Sequence, residues 1–164
     1  MKTLVAVASR HGGTMEIGER IGACLRESDL DVDVHPIDRV NSLAAYDAAI
    51  IGSAVYMGRW LGQGRDFVEV RATELSRMNV WLFSSGPISG RSDPHDADDG
   101  LRLLEAVNGR EHKLFAGRLE KDDLGLTERF IVRMVHPVYG DYRPWDDIDQ
   151  WARAIAYELR AVPA

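Results

Sequence analysis

With 164 residues, 45% hydrophobic and 28% charged, the chain has the length and balance of one ordinary globular domain, which excludes a disordered protein. Its formal net charge of −6, with both signs mixed along the sequence, argues against nucleic acid and anionic lipid as partners. The single cysteine, Cys24, excludes an internal disulfide and a multi-cysteine metal site.

No long uncharged apolar run is present, so no transmembrane helix is expected. The opening Met1-Lys2-Thr3-Leu4 leads straight into a strand-like segment without a signal-peptide pattern, and a cytoplasmic location is expected. Small molecules and cofactors are then the natural partners to look for.

Thr3-Leu4-Val5-Ala6-Val7-Ala8 is a short apolar run between polar flanks, which predicts a strand buried on both faces of a parallel sheet. It ends in Ser9-Arg10-His11-Gly12-Gly13-Thr14. Ile17, Ile21, Cys24 and Leu25 then recur at the spacing of one helix face. Residues 31–37 alternate polar and apolar and predict a second strand nearer the sheet edge. Ala48-Ala49-Ile50-Ile51-Gly52 predicts a third, residues 60–77 a helical stretch opened by Trp60, and Val80-Trp81-Leu82-Phe83 a fourth strand.

Residues 85–100 are rich in Gly, Pro, Ser and Asp and predict a long loop of the kind that often carries function. A helix over 101–107, a fifth strand over 113–117 and helices over 124–135 and 145–160 complete the pattern. Strands alternating with helices imply an α/β, doubly wound, five-stranded parallel sheet with helices on both faces and right-handed crossovers. Ligands of such sheets sit outside the carboxyl ends of the strands. The segments after strands one, three and four therefore carry the functional expectation.

The first of these, Ser9-Arg10-His11-Gly12-Gly13-Thr14, is chemically suited to a phosphate. Its glycines let backbone N–H groups approach an anion, Ser9 and Thr14 add hydroxyl donors, and the following helix presents its positive end. The spacing matches neither a dinucleotide loop nor a nucleoside-triphosphate loop. A cysteine-based phosphatase loop lacks its cysteine, and an aspartate phospho-acceptor would need acidic residues where Ser9 and Ser53 stand. Read alone, the segment also fits a strand-to-helix turn without a ligand.

The run Ser9-x-x-Gly12-x-Thr14-x-x-x-Gly18-x-x-Ile21 resembles the flavodoxin phosphate-loop signature, departing from it at Gly18, where that family usually has alanine. The resemblance implies a single flavodoxin-like domain over 1–164, a strand order of 2-1-3-4-5, and one non-covalent FMN whose phosphate meets Ser9, Arg10, His11, Gly12, Gly13 and Thr14. It also gives the second segment, Ser53-Ala54-Val55-Tyr56-Met57-Gly58, a place beside the flavin ring. There Met57-Gly58 resembles a redox-linked peptide whose carbonyl can turn toward a proton gained on reduction, at little steric cost because of the glycine. Tyr56 is the better candidate for ring contact, whereas Trp60 fits core packing equally well. The third segment, Ser84-Ser85-Gly86-Pro87, is implied to close the other side of the ring with backbone N–H groups.

Over most of its length the chain is also similar to the flavodoxin-like protoporphyrinogen IX dehydrogenases. The shared features are Met1-Lys2-Thr3-Leu4, Tyr46-Asp47, Ile51-Gly52, Phe115-Ala116-Gly117, the apolar helix at 128–133, and Trp145 with 151–156. That group oxidises the porphyrinogen and passes electrons to a respiratory quinone. The stretch 136–142 is short where well-known members carry a longer insertion.

Arg10 and His11 in the first segment, Arg59 in the second and Arg91 in the third put positive charge near the flavin, which stabilises its reduced anion. This favours an enzyme over a low-potential carrier, although the same arginines also fit a solvated surface. Three functions follow in order: an FMN-dependent oxidoreductase using a small-molecule reductant or quinone, a one-electron carrier docking on a redox partner protein, and a flavin-binding module without turnover. No catalytic acid or base is identified. Asp93, His95, Asp96, Asp98 and Asp99 lack regular ligand spacing and read as a solvated acidic loop, so no metal is expected. The stripe Leu126, Phe130, Ile131, Met134 and Val135 suits core or homodimer packing before peripheral membrane contact. Cys24 reads as a buried small hydrophobe.

Overall fold

The computed structural model describes residues 1–86, 97–119 and 140–161. In chain order these form β1 (Lys2–Ala8), α1 (Gly13–Glu27), β2 (Asp31–Pro36), a 3-10 turn at Ile37–Arg39, β3 (Ala48–Tyr56), β4 (Arg59–Trp60), α2 (Gly62–Val70), α3 (Ala72–Leu75), β5 (Asn79–Ser85), α4 (Asp98–Ala106), β6 (Glu111–Phe115), β7 (Arg118–Leu119), β8 (Gly140–Asp141) and α5 (Trp145–Ala161). The expected helix at 124–135, with its apolar stripe, and most of the expected loop at 85–100 lie outside the described residues.

The parallel strands lie in the order β2-β1-β3-β5-β6, while β4 folds back antiparallel on β3. With that hairpin set aside, the five parallel strands have the expected order. Central strands are buried at all but one end residue each, as continuous apolar runs require when both sheet faces are covered. On one face Val5, Val7, Ile50, Trp81, Phe83 and Phe115 pack against α1 and α5 through Ile17, Ile21, Leu25, Trp151 and Ile155. On the other, Leu4, Ala6, Ile51 and Leu82 pack against Phe67, Val68, Leu75 and Leu103 of α2, α3 and α4.

Gly18 has a packing reason. A Cβ built there would lie 2.4 Å from Val7 Cγ2, so α1 sits on β1 at a distance that only glycine permits. Cys24 is buried in the same layer, with its thiol 3.4 Å from Asp149 Oδ1 of α5, and burial pushes its pKa up. Arg20 joins the same carboxylate at 2.6 Å and so fastens α1 to α5.

Several boundaries differ from expectation. β3 continues to Tyr56 and β5 to Ser85, so Ser53, Ala54, Val55, Ser84 and Ser85 are strand residues rather than loop. Trp60 belongs to β4 and does not open a helix, and the helical stretch expected over 60–77 divides into α2 and α3 at Arg71. α4 begins at Asp98, inside the span expected to be loop. Among the described residues no helix is long and apolar enough to cross a membrane.

Candidate functional site

Strand register brings the three segments together. Ala8 pairs with Ser53, Ser53 with Ser84, and Ser84 with Leu114, so neighbouring strands reach the carboxyl edge of the sheet at one level. The connections after β1, β3 and β5 thus leave from adjacent points, where doubly wound sheets hold their ligands.

Gly12 ends the first connection in the left-handed region, at φ 83°, and caps α1 without any side-chain hydrogen bond. Its N–H donates to Ser9 Oγ at 3.1 Å. A Cβ on Gly12 would meet nothing within 4 Å, so glycine is required there by the backbone and the space beside it is open. Thr14 is buried in the first turn of α1. The first N–H groups of a helix have no acceptor inside it and carry the positive end of its dipole. A cavity of about 310 Å³ beside Ser9 and Gly12 is completed by Asp38 and Gln63, and a second of about 440 Å³ joins Ser9 and Arg10 to the first residues of α2. Arg10 is exposed, and the His11 carbonyl accepts from Arg118 at 3.4 Å.

The second connection is the tip of the β3–β4 hairpin. Met57 at φ 52° and Gly58 at φ 74° give two successive left-handed residues, the sign pattern of a type I′ turn. Met57 is 98% exposed and Tyr56 40%, so the tip presents apolar surface at the carboxyl edge. Ala54 and Val55 are buried beneath it. Ser53 is wholly buried; its hydroxyl donates to the Ala54 carbonyl at 2.9 Å and accepts the Leu61 N–H at 3.1 Å, which braces the corner into α2. Trp60 is buried as well, its main-chain N–H donating to Asp99 Oδ2 at 2.9 Å.

In the third connection, Ser84 is fully buried between two partners. Its Oγ accepts from Trp60 Nε1 at 2.7 Å and lies 2.8 Å from His112 Nε2. Burial pushes the His112 pKa down to about 4, so the imidazole is neutral at pH 7. Gly86 turns the chain at φ 125°, donates its N–H to the Phe115 carbonyl at 2.9 Å, and sits so close to β3 that a Cβ would lie 3.1 Å from the Val55 carbonyl oxygen. Pro87, Arg91, Asp93, His95 and Asp96 lie outside the described residues. Asp98 and Asp99 begin α4, where Asp99 also accepts from Arg102 at 3.1 Å.

The edge therefore gathers Ser9 to Thr14, Tyr56 to Gly58, and Ser85 with Gly86, whereas the hydroxyls of Ser53 and Ser84 turn inward to hold the frame. Nothing in the local sequence singles out Gln63, His112, Arg118 or Arg143. Arg118 does follow the fifth parallel strand, so its place near the carboxyl edge is legible from the strand pattern. The open side of Gly12 at the uncapped end of α1 suits a phosphate, and the hairpin tip and Gly86 follow neighbouring strands of the same edge.

Comparison with known proteins agrees with this geometry. The Flavodoxin domain family matches residues 4–143. Protoporphyrinogen IX dehydrogenase [quinone] of Escherichia coli K12 is 24% identical over 173 aligned positions, 96% of either chain. Among solved structures, a Streptococcus pneumoniae TIGR4 flavodoxin superposes with a TM-score of 0.65 at 19% identity, over 96% of this chain and 99% of that one. Oxidised Flavodoxin 1 from Bacillus cereus gives 0.65 at 16% identity, over 99% and 100%. The chain belongs to the flavodoxin domain family and, with it, binds FMN.

Proposed function

We propose that the protein is an FMN-dependent oxidoreductase that oxidises a porphyrinogen-class substrate and delivers the electrons to a quinone. The observation that carries this reading is the β3–β4 tip, where the exposed Met57 and Tyr56 offer apolar surface beside the ring position. Such surface suits a large apolar substrate better than a charged protein partner. The end-to-end similarity to a quinone-linked protoporphyrinogen IX dehydrogenase supports the same direction.

In this reading Ser9, Arg10, His11, Gly12, Gly13 and Thr14 hold the phosphate. Tyr56, Met57 and Gly58 bound one side of the ring, and Ser85 and Gly86 the other. Ser53, Ala54, Val55 and Ser84 form the floor that keeps both sides in place. The described strands share one parallel sheet, which supports a single domain over 1–164. Bound FMN supplies the two-electron acceptance that no side chain of the protein offers. The chain's own contribution is to bind, to orient and to keep water from the reacting face.

The test is anaerobic incubation of FMN-loaded protein with protoporphyrinogen IX and a quinone, followed by porphyrin fluorescence. FMN-dependent porphyrin formation is expected. Protein that leaves the porphyrinogen untouched but exchanges electrons with a flavodoxin reductase is a carrier, and protein inert in both assays is a flavin-binding module.

A further inference from the structure

Behind the phosphate segment lies a group of charges that the proposed function does not use. The two-stranded ribbon of β7 and β8 pairs Arg118 with Asp141 and packs against the start of α1. Arg143, just past β8, has a side chain only 4% exposed. Its guanidinium donates to Asp141 Oδ1 at 2.8 Å, to Glu16 Oε2 at 2.6 Å and to the Gly13 carbonyl at 3.1 Å. Arg118 donates to Glu16 Oε1 at 3.0 Å and to the His11 carbonyl at 3.4 Å. Asp141 is held below the usual carboxylate range by Arg143, so this charge pair is intact at neutral pH.

Two consequences follow from elementary chemistry. In a trans peptide the C=O and N–H point in opposite directions. Arg118 and Arg143 hold the carbonyls of His11 and Gly13 from the ribbon side, which fixes the Thr14 N–H toward the other side and the Gly12 N–H toward Ser9 Oγ. Moreover, Glu16 places a carboxylate in the first turn of α1, where it opposes a bound phosphate. Both of its oxygens are taken up by guanidinium groups.

We infer that Arg143, with Arg118, is a positioning residue for the flavin phosphate: it fixes the first connection from behind and neutralises Glu16. This rests on the phosphate lying at Ser9 to Thr14. The prediction is specific to the phosphate, since riboflavin shares the ring and lacks that charge.

Flavin fluorescence titrations of the apoprotein with FMN and with riboflavin test it. Arg143→Met is expected to weaken FMN binding roughly tenfold with riboflavin binding unchanged. Adding Glu16→Gln to that variant restores part of the FMN affinity, because the uncompensated carboxylate is removed. Equal weakening of both ligands, or no rescue by Glu16→Gln, overturns the inference by showing a merely structural role. If Arg143→Met does not fold, Glu16→Gln alone decides: tighter FMN binding at constant riboflavin affinity is expected, and an unchanged ratio overturns it. Wild-type protein that binds riboflavin and FMN equally would instead overturn the placement of the phosphate itself.

Discussion

The indole of Trp60 and the hydroxyl of Ser84, 24 residues apart in sequence, meet at 2.7 Å inside the protein. This bond ties the short strand β4 to the end of β5, and so ties the hairpin that carries Met57 to the segment that leads into Gly86. Trp60→Phe keeps an aromatic ring but removes the donor. A loss of about 1–2 kcal/mol is expected from one buried hydrogen bond left unmade. Urea unfolding measures it: the midpoint falls with an unchanged slope, and an unchanged midpoint would show that the bond contributes nothing.

His112 makes stability depend on pH. In the folded protein burial lowers its pKa to about 4, from an ordinary value of 6.5. Between those values the unfolded chain binds the proton and the folded one does not, so stability falls as pH drops from 6.5 toward 4 and is level, for this group, above 6.5. The full difference is about 3 kcal/mol. His112→Gln, which retains a polar partner for Ser84, is expected to flatten the dependence in that window. Equal slopes for the two proteins would remove His112 as the cause.

Gly12 and Gly18 respond differently to alanine. At Gly12 no atom obstructs a Cβ, so the cost is that of a left-handed alanine, about 1 kcal/mol. FMN affinity should fall as the phosphate segment relaxes. At Gly18 alanine improves helix propensity yet collides with Val7, and overpacking of about 1–3 kcal/mol outweighs that gain. Thermal unfolding of both apoproteins, with FMN titrations, separates a site effect at Gly12 from a pure packing effect at Gly18. Stabilisation by Gly18→Ala would contradict the close approach of α1.

Met57 holds a left-handed conformation with almost no packing in return. Asparagine is the favoured residue at that position of a type I′ turn. Met57→Asn is therefore expected to raise apoprotein stability by about 1 kcal/mol. A lower unfolding midpoint in urea would show that the methionine makes contacts worth more than the strain.

The parallel strands were legible in the sequence because their burial on both faces leaves continuous apolar runs, as at Leu4 to Ala8 and Ala48 to Ile51. The expectation of a site at the carboxyl edge follows from the winding rule. Trp60 was misplaced because a two-residue strand has no period to read, and its apolar neighbours mimic a helix face. Ser53 and Ser84 look like ligand hydroxyls at strand ends, yet only the register shows that they face inward toward Leu61 and Trp60. Arg143 left no trace at all, since its partner Glu16 lies 127 residues away.

Gly86 rests against the Val55 carbonyl while its own N–H is bound to Phe115. The hairpin strand β3 and the segment after β5 thus share one backbone support, and bulk added at position 86 would displace them together. On the proposed function, a wider substrate is expected to be accommodated at the outward-facing side chains, Tyr56 and Met57 first. Changes of specificity in this protein should then be searched for at the rim and not at its base.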